Sequence, residues 1–210
     1  MTGDRRERLR RARLYLVMEA RPHGRDPEPL LAAALRGGVD IVQLRDKELG
    51  DDDLVTAAQP FRRLCAEHGA LFVLNDRPDL VDPCDADGVH VGQDDTPVAD
   101  ARRAVGRELL VGLSTHAPEH FDRVEGADYL GVGPVFETPT KPDAHAVGLE
   151  LVRAAVERVA LPFFAIGGIE AGNLVRVLAA GAERVAVVRA VRDADDPEAA
   201  ARALRAQLPA

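Results

Sequence analysis

The chain has 210 residues, a length that suits one domain, and 46% of its residues are hydrophobic, an ordinary value for a globular protein. Its formal net charge of −8 argues against nucleic acid as the main partner, because counterion release requires cations clustered on one face. The sequence shows no membrane-spanning apolar run, no export signal and no zinc-like spacing of Cys65 and Cys84, so we expect a cytoplasmic protein with free thiols that binds no membrane.

Short β-branched runs alternate with longer amphipathic segments along the whole chain. The runs predict eight strands, at residues 14–18, 41–45, 71–75, 88–92, 109–114, 129–133, 163–167 and 184–190. The intervening segments predict helices at 28–36, 52–68, 98–105, 118–124, 149–159, 171–180 and 197–207, whereas 79–82 is too short for a full helix. Strands that alternate with helices pair in parallel through right-handed crossovers. We therefore predict a single (β/α)8 TIM barrel over residues 1–210, with residues 1–12 as a solvated N-terminal tail or helix.

The second predicted strand carries polar side chains toward the mouth of the barrel. Its alternation places Ile41, Gln43 and Arg45 on the inner face, and Lys47 follows just beyond. In a parallel barrel the active site lies where strands end, so these side chains are candidate ligands for an anion. An alternative is that Arg45 pairs with Asp46 or Asp76 in a structural ion network.

The third and fourth predicted strands end in carboxylates. Asn75 and Asp76 close the third strand, and Asp94 and Asp95 follow the fourth. Mg2+ takes one or two protein carboxylates together with waters and phosphate oxygens, so Asp76 and Asp95 are candidate metal ligands. Asp94 and Asp95 could instead cap the helix at 98–105. His90 lies within the fourth strand, where a hydrogen-bonded barrel histidine is a more common role than a catalytic base.

Only two of the 27 basic residues are lysines, Lys47 and Lys141, and both follow predicted strands rather than lying on helix faces. Lysine approaches a phosphate oxygen as a point charge, which arginine does not reproduce. The second lysine ends a loop after the sixth strand that also carries Thr138 and Thr140 and is suited to close over an anion, although a rim loop with a surface lysine is the alternative.

Hydroxyl and glycine residues end the remaining strands. Ser114 ends the fifth strand without an acid partner at triad spacing, which favours donation to phosphate over nucleophilic attack. The seventh strand ends in Gly167 and Gly168, and the eighth carries Val188 and Arg189. Loops after strands seven and eight commonly form a phosphate cup in such barrels. Two anion sites in one cleft imply two phosphorylated ligands.

With these residues in place, the chain resembles the thiamine phosphate synthase family, barrel enzymes that join a pyrimidine pyrophosphate to a thiazole phosphate. The resemblance covers about residues 14–204 and rests on QLRDK at 43–47, ND at 75–76, GVHVGQDD at 88–95, GLSTH at 112–116, GVGPVFETPTK at 131–141 and AIGGI at 165–169. It implies a transferase that uses Mg2+ and two small-molecule substrates.

The family pattern also implies roles for individual residues. Gln43 would contact the pyrimidine, and Asp76 and Asp95 would hold Mg2+. The pyrophosphate ligands would be Arg45, Lys47, Asn75, Ser114 and Lys141, of which Arg45, Lys47, Ser114 and Lys141 would be catalytic. The thiazole phosphate would lie near Thr138, Thr140, Gly168, Val188 and Arg189. The chain departs from many relatives at Arg189, where they have serine, and at Met18 and Glu19, where they have threonine and aspartate.

Three other functions compete with this one. A related thiazole tautomerase needs no metal-bound pyrophosphate, and the two lysines and two aspartates disfavour it. A sugar-phosphate isomerase or epimerase requires an acid–base pair for proton abstraction, and none is convincing here. A non-catalytic thiazole phosphate binder would need only the cup. The sequence leaves open whether the chain forms a homodimer.

Overall fold

The computed structural model describes residues 5–138 and 146–210. Eight parallel strands close into a barrel in chain order, and the last strand pairs with the first. The strands are β1 Leu14–Met18, β2 Ile41–Leu44, β3 Leu71–Asn75, β4 Gly88–Val91, β5 Leu110–Thr115, β6 Tyr129–Val132, β7 Phe163–Ile166 and β8 Val185–Val187. The predicted (β/α)8 barrel is confirmed.

Helices follow or flank the strands. They are α1 Arg5–Arg11, α2 Glu28–Arg36, α3 Asp51–His68, α4 Val98–Val105, α5 Gly148–Arg158, α6 Leu174–Ala179, α7 Arg189–Arg192 and α8 Pro197–Arg205. Short 3-10 helices occupy Pro22–Gly24, Pro78–Leu80 and Pro118–Arg123, the last in place of the α-helix predicted at 118–124. No helix within the described ranges is long and apolar enough to span a membrane.

Two predicted boundaries at the mouth of the barrel are wrong. The eighth strand was expected to reach residue 190, but it ends at Val187, and helix α7 begins at Arg189. The run of valines extends the strand pattern past the point where the chain turns, at Val188, with φ −118° and ψ −85°. Helix α6 begins at Leu174 rather than at residue 171 because the preceding residues form a turn held by the side chain of Asn173.

Strand side chains alternate between two apolar layers. Val42 and Leu44 of β2 pack outward with the helices, as the sequence predicts, while Ile41 joins an inner cluster that includes Tyr15 and Tyr129. The outer layer is the larger and supplies most of the buried apolar surface. The inner layer fills the lower barrel and leaves polar side chains above it.

Helix α1 closes the N-terminal end of the barrel instead of lying in solvent. Leu9 is 2% exposed and packs within the inner cluster. Arg5 Nε lies 2.9 Å from Asp87 Oδ1, and Arg6 Nε lies 3.1 Å from Asp128 Oδ1. The arginine-rich start of the chain therefore neutralises a buried and a partly buried carboxylate at the lower end of the strands.

Aspartates stand immediately before three alternate strands, β2, β4 and β6. The carboxylates of Asp40, Asp87 and Asp128 accept backbone N–H groups at the start of the preceding strand, at distances of 2.9, 3.0 and 2.9 Å. Each aspartate thus ties two neighbouring strands together at the lower end. Hydrogen bonds from backbone N–H groups and arginines satisfy carboxylates that would otherwise be costly to bury.

Candidate active site

A cleft of about 400 Å³ opens where the strands end, which is the size of a small-molecule site. The described residues that were predicted as substrate ligands and that line it are Gln43, Arg45, Asn75, Ser114, Thr138, Gly168, Val188 and Arg189. They come from six of the strands, β2, β3 and β5 to β8, or from the loops that follow them. Thr140 and Lys141 lie outside the described residues.

Arg45 offers a guanidinium that the surrounding protein does not neutralise. The side chain lines the cleft, and no ion pair or side-chain hydrogen bond joins it to the described part of the chain. Its backbone N–H donates to the carbonyl of Met18 at 2.9 Å, and the nearby Asp46 carboxylate accepts the N–H groups of Ala20 and Glu48 instead. The alternative of a structural ion pair for Arg45 is therefore wrong within these ranges, and its donors face the cleft.

Lys47, Asp76 and Asp95 form a cluster at the ends of β2, β3 and β4. Lys47 Nζ lies 3.0 Å from Asp76 Oδ2 and 3.7 Å from Asp95 Oδ1, so both carboxylates converge on one cationic atom. Asp95 Oδ2 also accepts the N–H of Gly92 at 3.2 Å. The predicted alternative, a cap on helix α4, is wrong for Asp95 because the residue before this helix is Pro97 and no side chain caps it.

Asp76 has a backbone conformation that few residues adopt. Its φ of 59° lies in the left-handed region, where a non-glycine residue is strained by about 1 kcal/mol or more. Its N–H donates to the carbonyl of His90 at 2.9 Å, which holds this conformation at the end of β3. The turn directs the carboxylate toward Lys47 rather than along the strand.

The donor set of this cluster fits Mg2+ held jointly by protein and substrate. Two carboxylates approach a common point, and within residues 5–138 and 146–210 no group of three or more histidine, cysteine or acidic residues could hold a metal. Mg2+ is commonly bound by one or two carboxylates and completes its coordination with waters and phosphate oxygens.

Ser114 and Gln43 are linked through buried side chains. His90 Nε2 lies 2.9 Å from Ser114 Oγ, and the amide nitrogen of Gln43 donates to the hydroxyl of Tyr15 at 2.7 Å. The prediction of a hydrogen-bonded histidine within the barrel is confirmed. Two cleft residues that the sequence analysis missed, Tyr15 and Tyr129, join these ends. Both face inward by strand alternation, but nothing in the sequence shows that they meet.

A glycine turn ends β7 on the opposite side of the barrel. Gly167 and Gly168 have φ values of 105° and 63°, and a Cβ on Gly168 would lie 2.7 Å from the carbonyl oxygen of Glu137. Glycine is therefore required both by conformation and by the close approach of the loop after β6. Asn173 Nδ2 donates to the carbonyl of Gly168 at 2.8 Å. Among the described residues, no backbone carbonyl accepts the N–H of Gly168.

Arg189 begins helix α7 beside this turn and is exposed to the cleft. Like Arg45, it forms no ion pair or side-chain hydrogen bond with the part of the chain that the structure describes. The carboxylates of Glu19 and Asp193 pair with Arg192 instead. Arg192 Nη1 lies 2.5 Å from Glu19 Oε1, and Arg192 Nε lies 2.6 Å from Asp193 Oδ1. The hydrogen bond from Arg192 lowers the pKa of the Asp193 carboxyl below its ordinary value. Glu19, one of the departures noted in the sequence, thus anchors α7.

Fold and site together define a (β/α)8 barrel whose cleft is lined by Arg45 after β2 and by a glycine turn and Arg189 after β7 and β8, with the Lys47, Asp76 and Asp95 cluster at the ends of β2, β3 and β4. Such a cleft is suited to small molecules that carry phosphate groups. Residues 14–191 match the family described as thiamine monophosphate synthase.

Similar proteins carry the same name. The thiamine-phosphate synthase of Thermobifida fusca is 50% identical over 207 residues, which cover 97% of this chain and 95% of that protein. The Gloeobacter violaceus protein of that name is 52% identical over 199 residues, which cover 93% of this chain but only 57% of the longer relative. A solved structure of thiamine phosphate pyrophosphorylase from Pyrococcus furiosus matches with a TM-score of 0.85 and 36% identity over 96% of both chains.

The chain therefore belongs to the thiamine monophosphate synthase family. The predicted family and the predicted class of enzyme, a transferase, are confirmed. Fold likeness alone extends further, since 3-hexulose-6-phosphate synthase from Salmonella typhimurium matches with a TM-score of 0.69 at 17% identity over 93% of this chain and 98% of that one.

Proposed function

We propose that the chain transfers a pyrimidinylmethyl group from its pyrophosphate to a thiazole phosphate, giving thiamine phosphate and pyrophosphate. The observation that carries this proposal is a single cleft lined by Arg45 after β2 and by Gly168 and Arg189 after β7 and β8. The Lys47, Asp76 and Asp95 cluster adds a cation and two carboxylates at the ends of β2, β3 and β4. Two phosphorylated substrates match two separate groups of anion ligands.

The reaction breaks one bond and forms one. The C–O bond between the pyrimidine methylene and pyrophosphate breaks, and its electron pair leaves with the pyrophosphate oxygen. The lone pair of the thiazole nitrogen then forms a C–N bond to the methylene. In this dissociative sequence, negative charge develops on the leaving group before the new bond forms.

Stabilising that leaving group is the main electrostatic task of the protein. The guanidinium of Arg45 is free of protein partners in the described ranges and can offer two parallel donors to phosphate oxygens. Lys47, which pairs with Asp76 and Asp95, adds a compact charge, and Ser114 adds a hydroxyl. Preorganised groups of this kind typically contribute about 100- to 1000-fold each to the rate. The loop residues Lys141 and Thr140 are proposed as further ligands.

Asp76 and Asp95 are the residues that would hold Mg2+. The metal would neutralise charge on the pyrophosphate oxygens as a Lewis acid. The convergence of both carboxylates on Lys47 Nζ supports this assignment, because it shows that their oxygens already share one cationic neighbour.

The other side of the cleft is proposed to bind the thiazole phosphate. The N–H of Gly168, the backbone at Val188 and the guanidinium of Arg189 are the proposed donors, with Thr138 nearby. The carbonyl of Gly168 is occupied by the side-chain amide of Asn173, which offsets its repulsion of a phosphate. Anchoring the phosphate positions the thiazole nitrogen for attack.

A turnover assay with purified chain tests the proposal. Pyrophosphate and thiamine phosphate should form together only when both substrates and Mg2+ are present, and chelator should abolish both until Mg2+ is restored. Pyrophosphate release without thiazole phosphate would show a hydrolase, and failure to form thiamine phosphate would overturn the proposal. Conversion of a thiazole tautomer alone, or binding without turnover, would favour the tautomerase or the non-catalytic binder.

A further inference from the structure

Four buried side chains and the partly buried Ser114, from five strands, form a continuous hydrogen-bonded chain across the floor of the cleft. Gln43 Nε2 lies 2.7 Å from Tyr15 Oη, and Tyr15 Oη lies 3.0 Å from Tyr129 Oη. Tyr129 Oη lies 3.3 Å from His90 Nδ1, and His90 Nε2 lies 2.9 Å from Ser114 Oγ. The two ends of this chain, Gln43 and Ser114, are both proposed substrate ligands.

The barrel is shaped to seat this chain. Tyr129 is 0% exposed, Tyr15 is 2% exposed and His90 is 9% exposed. A Cβ on Gly112 would lie 2.2 Å from Tyr129 Cζ and 2.4 Å from His90 Nδ1, so any larger residue would displace both rings. Phe164 contacts both tyrosine rings edge-on, at centroid distances of 5.3 and 5.8 Å. The rings therefore have little freedom to turn.

The direction of the hydrogen bonds follows from the donors. The structure places the amide nitrogen of Gln43, rather than its oxygen, at Tyr15 Oη, and because that nitrogen can only donate, Tyr15 Oη accepts and has one hydrogen of its own to give. If Tyr15 donates to Tyr129 and Tyr129 donates to His90 Nδ1, every hydroxyl hydrogen has an acceptor. In the opposite direction Tyr15 would accept twice and leave a buried hydrogen without an acceptor among the residues of the chain, at a cost of about 1–3 kcal/mol.

This direction fixes the state of His90. Because Nδ1 accepts, the ring carries its hydrogen on Nε2 and donates it to Ser114 Oγ. The hydrogen of the Ser114 hydroxyl is then left for an acceptor in the cleft. At the other end, the amide nitrogen of Gln43 is occupied, and its carbonyl oxygen is left as an acceptor. Burial raises the pKa of both tyrosines far above the ordinary value, so they keep their hydrogens.

We propose that Tyr129 and His90 are positioning residues, which set Ser114 as a hydrogen-bond donor and Gln43 as an acceptor toward the substrate. This row of hydrogen bonds thereby favours a ligand that places an anionic acceptor at Ser114 and a hydrogen-bond donor at Gln43. The identification of the anion as the pyrophosphate rests on the proposed function. The orientation of the chain itself does not, because it follows from the contacts within the protein.

The tautomer of His90 is the first test, and it needs no turnover. The 15N chemical shifts of histidine-labelled protein distinguish the two ring nitrogens, and the His90→Asn variant assigns the signal among the six histidines. We expect hydrogen on Nε2 and none on Nδ1. Any other protonation pattern overturns the proposal.

A double-mutant cycle is the second test. Tyr129→Phe removes one hydroxyl and keeps the ring, and should lower kcat/KM for the pyrimidine pyrophosphate about tenfold, the size expected for one misdirected hydrogen bond. Because Tyr129 acts through Ser114, the double variant Tyr129→Phe with Ser114→Ala should lose no more than Ser114→Ala alone. Additive losses would show that Tyr129 acts by another route and would overturn the proposal.

Thr115→Val provides the matched control. Thr115 is as buried as Tyr129 and follows Ser114 on β5. Its hydroxyl donates to the Gly131 carbonyl at 3.0 Å and takes no part in the hydrogen-bonded chain. Losing this hydroxyl should leave kcat/KM unchanged, and a tenfold loss here would show that any buried hydroxyl has the same effect. If the wild type makes no thiamine phosphate, the proposed function fails. The same variants are then compared by their affinity for inorganic pyrophosphate instead of by kcat/KM.

Discussion

The two ends of the barrel use charged residues in opposite ways. At the N-terminal end, Asp87 is buried and Asp128 is partly buried, and both accept hydrogen bonds from arginines and from backbone N–H groups. At the C-terminal end, Arg45 and Arg189 line the cleft and make no ion pair or side-chain hydrogen bond with the described residues. Both ends are built on the same eight strands, so the difference comes from the loops and from helix α1.

This contrast separates residues that hold the fold from residues that are available to ligands. A buried carboxylate that has lost its partner is costly, so the lower end pairs each of these aspartates. A cation that faces a cleft can bind substrate only if no protein group neutralises it. Leaving it unpaired costs little stability because solvent reaches it. Stability and function should therefore respond separately to substitutions at the two ends.

The largest effect is expected from Asp87→Ala at the lower end. Asp87 is 2% exposed and accepts from Arg5 and from the N–H of Phe72. Its removal leaves buried donors without a partner and should lower the free energy of unfolding by about 3–5 kcal/mol, measured by denaturant titration. The activity per folded molecule should not change.

Asp122→Ala is the control for this substitution. Asp122 pairs with Arg158 at the surface, where the two side chains are 70% and 42% exposed. Its loss should change the free energy of unfolding by less than about 0.5 kcal/mol. Equal destabilisation by the two variants would contradict the difference that we draw between buried and surface pairs.

At the upper end, Lys47→Ala should lower kcat/KM by about 100-fold or more while the unfolding midpoint stays close to that of the wild type. The lysine side chain is 50% exposed, so its pairing with Asp76 and Asp95 contributes little stability. Lys47→Arg keeps the charge but not the compact ammonium and should recover only part of the rate. Full activity in the arginine variant would show that a lysine is not specifically required there.

The smallest effect is expected for Arg189→Ser, which removes the guanidinium and leaves a small polar side chain. If the free guanidinium contacts the thiazole phosphate, the KM for that substrate should rise about three- to tenfold, a change typical of one exposed charge contact. The KM for the pyrimidine pyrophosphate should not change. Arg123→Ser, at an exposed arginine that is not among the residues lining the cleft, is the control. A fall in the thiazole phosphate KM would show that Arg189 hinders binding.

Most of the candidate site could be predicted from the sequence because its residues stand at strand ends. Gln43, Arg45 and Ser114 line the cleft as strand alternation places them, and Asp76 and Asp95 meet because neighbouring parallel strands end at the same edge. The ion-pair partner of Asp76 was not predictable. It is Lys47 rather than Arg45, and the choice depends on the positive φ of Asp76, which no local pattern reveals.

The sequence by itself determined the barrel, the inward and outward faces of its strands and the edge at which polar residues collect, because these depend on periodicities within a few neighbouring residues. Only the tertiary structure decided that helix α1 seals the lower end, that the chain turns at Val188 and that Tyr15 meets Tyr129 across 114 residues of sequence. Contacts of that kind depend on the packing of distant segments, which leaves no local signal. The same packing decides which arginines are neutralised and which remain free for a ligand.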